Sequence, residues 1–181
     1  VTAAMGPGLS LIVFLAGAFG FMFAIEKTKD SAWGVAVLLA FTFFMGLLLS
    51  RMLGMVLSLK NGATLVAMAG GGTAVVFAVM ASVASTIKRD LSGMGKFLAV
   101  GGIVLILAVV ANVFFQSPVL HLVLLGAFVL FSTLAILWQI NAIVTGGETN
   151  YISATLSLYI SIYNLFTSLL QLLGIFGGDR D

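Results

Sequence analysis

Ser157, Ser161, Asn164, Ser168 and Gln171 recur at spacings of four, three, four and three near the end of the chain. That rhythm keeps all five on one face of a helix. Their hydroxyls and amides donate and accept hydrogen bonds, and none titrates in the physiological range. Two uses fit such a stripe. One is interhelical hydrogen bonding, at about 0.6–2 kcal/mol per bond in a membrane. The other is the wall of a polar path, because hydrocarbon penalises polar groups without partners. Tyr159 and Tyr163 form a second i, i+4 pair on a different side. Gln139 and Asn141, in the preceding apolar stretch, are candidate partners for the stripe. Between them lies Gly146-Gly147-Glu148-Thr149-Asn150, which leads into Tyr151. An acidic Glu148 suits a helix N-terminus, and either Thr149 or Asn150 can cap it.

Other chemistry lacks its parts. His121 is the one histidine and there is no cysteine, so no multi-imidazole or thiolate metal site can assemble. Ser132 lies eleven residues from His121 in the same stretch, with no Gly-x-Ser-x-Gly around it. Gly93-Met94-Gly95-Lys96 lacks the phosphate-loop spacing, and Phe97 stands where a hydroxyl is required. Gly70–Gly72 follows no strand and is no dinucleotide fingerprint. No catalytic residue, metal or cofactor is expected, and the chain is not expected to be an enzyme.

The stripe must be held by apolar elements. Six apolar stretches, at residues 7–25, 33–59, 63–87, 94–115, 119–144 and 151–176, fill nearly all of the 181 residues. A helix of roughly 20 apolar residues crosses the ~30 Å hydrocarbon core of a bilayer. Hydrophobic residues make up 61% and charged ones 8%, against about 25% charged in soluble domains. The expectation is an all-α, polytopic transmembrane bundle forming a single domain over residues 1–181, with the lipid bilayer as its solvent. A net charge of +2 without a basic cluster argues against nucleic acid as a partner. Arg51 lies about 27 Å along the axis from Trp33, which places it at an interface rather than at the midplane. Met52–Leu59 either continues that helix or lies along the surface. Small residues at Gly70, Gly71, Gly72, Ala74, Ala78 and Ala81, and again at Gly101 and Gly102, are expected to let helices approach closely.

Lys27 and Lys29 fall in the first joint, and Lys88, Arg89 and Lys96 in or beside the third. Lys60, Arg51 and Arg180 fall on the other side. The excess puts joints one, three and five in the cytoplasm, with Val1 and Asp181 both on the periplasmic side of a bacterial inner membrane. Val1 is not an initiator methionine. One further helix before it would bring the N-terminus to the cytoplasm and the total to seven.

The run Gly146-Gly147-Glu148-Thr149-Asn150-Tyr151-Ile152, followed by Ala154, Ser157-Leu158-Tyr159 and Tyr163-Asn164-Leu165-Phe166, resembles the C-terminal signature of the Bax inhibitor-1 family, most closely its bacterial YccA-type branch. The resemblance implies a seven-helix bundle with the last helix held centrally, so this chain would lack the family's first helix. It also implies a modulator or slowly processed substrate of FtsH, a membrane-anchored zinc protease of membrane-protein quality control. Many family members carry two acidic residues on the last two helices, linked to a proton-sensitive calcium leak. The corresponding stretches here are Trp138-Gln139-Ile140-Asn141 and Leu158-Tyr159-Ile160-Ser161, so Gln139 and Ser161 stand at the acidic positions. Two uncharged groups cannot share a proton as a carboxylate pair does, and they offer a divalent cation no charged oxygen. A calcium or proton leak is therefore the disfavoured alternative. Gln139 and Ser161 are expected to face each other across the last two helices.

Overall fold

The computed structural model describes residues 7–87 and 89–178, without the side chains of residues 7–11 and 14. Val1, Lys88, Arg180 and Asp181, which enter the charge argument, lie outside the described residues. The described residues form six helices: α1 (Pro7–Thr28), α2 (Trp33–Leu57), α3 (Gly62–Thr86), α4 (Ser92–Phe115), α5 (Pro118–Val144) and α6 (Tyr151–Gly177). Among the described residues, α2 to α6 are each long and apolar enough to cross a membrane. α1 has 22 residues and occupies the first predicted stretch, running three residues past its expected end. There Thr28 Oγ1 donates to the Ala24 carbonyl at 2.8 Å, satisfying a group of the last turn. α2 continues through Met52 and stops at Leu57, two residues early. The Leu59 N–H turns back to the Val56 carbonyl at 3.0 Å, and a tight turn leads into α3.

Local chemistry explains the starts of α5 and α6. Pro118 opens α5, where a missing N–H costs nothing, and the Ser117 hydroxyl accepts from Leu120 N–H at 3.3 Å. Asn150, rather than Thr149, caps α6. Its Oδ1 accepts from the N–H groups of Ile152 and Ser153, each at 3.0 Å.

α6 occupies the middle of the bundle and packs on α5, α3, α2 and α1, while α4 packs on α5. Ile152, Leu165 and Leu170 of α6 are fully buried, each within a separate apolar cluster. The bundle's outer surface is the reverse: Phe43, Phe114 and Phe115 are 70–81% exposed. Aromatic rings so displayed need lipid around them. Trp33, 74% exposed at the start of α2, has the place of an interfacial anchor.

The expected small-residue seam is only partly used. A side chain at Gly70 or Gly71 would meet open space, and Gly101 and Gly102 only lie against the Phe131 ring. Tight approaches lie elsewhere, as at Gly95 against the Trp138 ring and at Gly34, where a Cβ would come within 2.5 Å of the Thr28 carbonyl oxygen and 2.6 Å of Ile152 Cδ1. In α3 the buried contacts come from Leu65, Ala69, Thr73 and Ala84 instead.

Candidate functional site

The centre of α6 is where polar groups meet inside this apolar frame. Ser161, 5% exposed, donates from Oγ to Gln139 Oε1 of α5 at 3.1 Å. The two positions are thus brought together across the last two helices, as uncharged partners. Tyr159 and Tyr163 leave α6 on another side, with hydroxyls reaching the Thr42 and Met45 carbonyls of α2 at 3.5 and 3.4 Å. The rest of the stripe splits. Ser157 and Ser161 line a cavity of about 290 Å³ with Gln139 and Ser132. Ser168 and Gln171 line another of about 390 Å³ with Asn112 and His121. Asn164 lines both.

Asn141 does not join the stripe. It is 1% exposed and clasps the α3–α4 connection: its Oδ1 accepts from Leu91 N–H at 3.2 Å, and its Nδ2 donates to the Arg89 and Ile87 carbonyls at 3.2 and 3.4 Å. The partners are backbone groups about fifty residues away, which no side-chain pattern announces. Ser132, weighed above only as a nucleophile, is buried, and its Oγ has no partner among the described residues. A single serine in an apolar helix has no periodic signal.

The loop Gly146–Asn150 ties two joints on one face together. Gly146 takes φ +78°, a left-handed conformation that glycine adopts without strain. Glu148 Oε1 accepts from Asn150 N–H at 2.8 Å, while its own N–H donates to the Ala142 carbonyl at 3.0 Å. Asn150 Nδ2 reaches across to the Lys29 carbonyl at 3.2 Å and Asp30 Oδ1 at 2.9 Å in the α1–α2 joint. Nearby, Lys29 Nζ donates to Glu26 Oε1, and this bond holds the ammonium above its ordinary pKa. Gly147 packs on Ala142, and Tyr151 is exposed. His121 is exposed at the first turn of α5. Among the described residues no group of three or more His, Cys, Asp or Glu side chains could hold a metal ion.

An all-helical bundle with apolar outer faces and a polar-centred last helix is a multi-pass membrane protein. The family model for the inhibitor of apoptosis-promoting Bax1 matches residues 1–178, and the chain belongs to this Bax inhibitor-1 family. It is 43% identical over 178 residues to the Escherichia coli K12 protein named modulator of FtsH protease YccA, a match covering 98% of this chain and 81% of that one. An uncharacterised Pseudomonas aeruginosa protein is 45% identical over 96% of this chain and 78% of its own. An uncharacterised membrane protein of Vibrio cholerae is 39% identical over 98% and 81%.

Proposed function

We propose that this chain is a non-enzymatic bacterial inner-membrane protein that modulates, or is slowly processed by, an FtsH-type membrane protease in membrane-protein quality control. The observation that carries the reading is its likeness to the E. coli modulator, at 43% identity along 98% of the chain. The chemistry of the α5–α6 contact supports it. Gln139 and Ser161 join the two helices by one neutral hydrogen bond, a structural device that requires neither proton nor cation. In this reading the chain is one transmembrane domain. Its joints between α1 and α2, α3 and α4, and α5 and α6 face the cytoplasm, and the loop Gly146, Gly147, Glu148, Asn150 and Tyr151 sits on that side.

The test is the half-life of a membrane substrate of the protease in cells overproducing this chain. A lengthened half-life, with the protease co-purifying in mild detergent, is expected. An unchanged half-life with no association contradicts the proposal.

A further inference from the structure

The two cavities along α6 lie toward opposite ends of the helix, and Asn164 stands in the wall of each. Asn164 is thirteen residues from either end of α6 (Tyr151–Gly177), about 20 Å each way, which is the depth of a bilayer midplane. Beyond the larger cavity, another of about 380 Å³ shares His121 and Gln171 and runs between α2 and the end of α6. Beyond the smaller one, a narrow space of about 50 Å³ continues past Gln139 and Ser157 to Glu148 in the α5–α6 joint. Partly open clefts with shared lining residues thus succeed one another along α6.

Their walls hold polar groups that are unpaired among the described residues. Ser157, half-buried in the wall of the smaller one, makes no side-chain hydrogen bond among the described residues. Ser168 is 4% exposed, and among the described residues neither its hydroxyl nor the Asn164 side-chain amide makes a hydrogen bond. A dry or lipid-filled cavity would strand these groups, whereas water takes roughly 30 Å³ per molecule and bonds two to four polar neighbours. The two cavities that divide the stripe carry no carboxylate, ammonium or guanidinium. A cation entering them would find no anionic oxygen to replace its hydration shell. A small uncharged solute gives up only hydrogen bonds, which the amides and hydroxyls return.

We propose that these cavities are two water-filled vestibules opening on opposite faces of the membrane and meeting at Asn164, and that they form a permeation route for water and small uncharged polyols. The proposal is independent of the protease reading.

The chain contains no cysteine, so one introduced thiol reports alone. Ser168→Cys and Ser157→Cys are treated with a charged, membrane-impermeant thiol reagent in right-side-out and inverted vesicles. Each is expected to react from one face only, the two from opposite faces. Val104→Cys, on the exposed outer side of α4, is expected to react from neither. Glycerol entry into proteoliposomes of the full chain, followed by stopped-flow light scattering, is expected to be several-fold faster than into protein-free liposomes. Asn164→Leu, or modification of Ser168→Cys that conducted beforehand, returns it to the protein-free rate. Unreactive thiols at both positions would mean lipid-filled walls and would overturn the proposal. So would reaction of both from the same face, or glycerol entry no faster than without protein. A calcium-dye signal rising as fast as glycerol entry would overturn the selectivity for uncharged solutes.

Discussion

Gln139 and Ser161 exchange one hydrogen bond between groups that keep the same charge from acid to alkaline pH. Losing it by Ser161→Ala should cost about 0.6–2 kcal/mol, the range for interhelical bonds in membranes. Thermal unfolding in detergent measures this, and a double-mutant cycle with Gln139→Leu should return most of the cost as coupling. Additive effects would mean that the contact contributes nothing specific. Asn141→Leu should be the more damaging change. It removes three hydrogen bonds to half-buried backbone groups of the α3–α4 connection, each worth about 0.5–1.5 kcal/mol. A Tm fall no larger than that of Ser161→Ala would contradict this ranking. The contrast also marks what the sequence can reveal at this scale. The stripe was legible because helical period alone puts its members on one face, and the Gln139–Ser161 contact followed once family resemblance aligned two motifs. The Asn141 clasp was not legible, since an amide bonding to distant backbone leaves no complementary residue to find.

The six helices follow from apolar length, and the starts of α5 and α6 from Pro118, Ser117 and Asn150, all recognisable in the chain. What length and hydropathy could not give is which small residues matter. Gly70 and Gly71 face open space, while Gly34 lies against the Thr28 carbonyl and Ile152. Close approach depends on how helices cross, which composition does not encode. Gly34→Val should therefore lower the Tm strongly, whereas Gly71→Ala should leave it nearly unchanged or raise it, alanine being the better helix former by about 1 kcal/mol. Circular dichroism melts of the two variants check this, and equal falls would refute it. Asn150→Ala removes a helix cap, worth about 0.5–2 kcal/mol, and also the tie to Lys29 and Asp30. Faster proteolysis at the α5–α6 joint is the expected sign, and an unchanged cleavage rate would speak against the tie. The Lys29–Glu26 bond beside it should not respond near neutrality. A raised ammonium pKa contributes fully below the unfolded value of 10.5 and is lost only as pH climbs through the folded value.

Across the whole molecule, α6 is surrounded by helices that spend their apolar side on lipid and turn a few amides and hydroxyls inward. Composition alone made the bilayer and the all-helical class legible, because 8% charged residues cannot coat a water-soluble fold. The division of the stripe between two cavities was beyond reach, because it depends on α4 leaning on α5 and leaving space beside α6. The account rests on a centre that holds helices together without charge. The direct test is calcium entry into dye-loaded proteoliposomes at acid and neutral pH, for the wild-type chain and for Gln139→Asp combined with Ser161→Asp. No calcium flux from the wild type at either pH is predicted, with a pH-dependent leak appearing when the two carboxylates are installed. A wild-type calcium flux that changes with pH would contradict it.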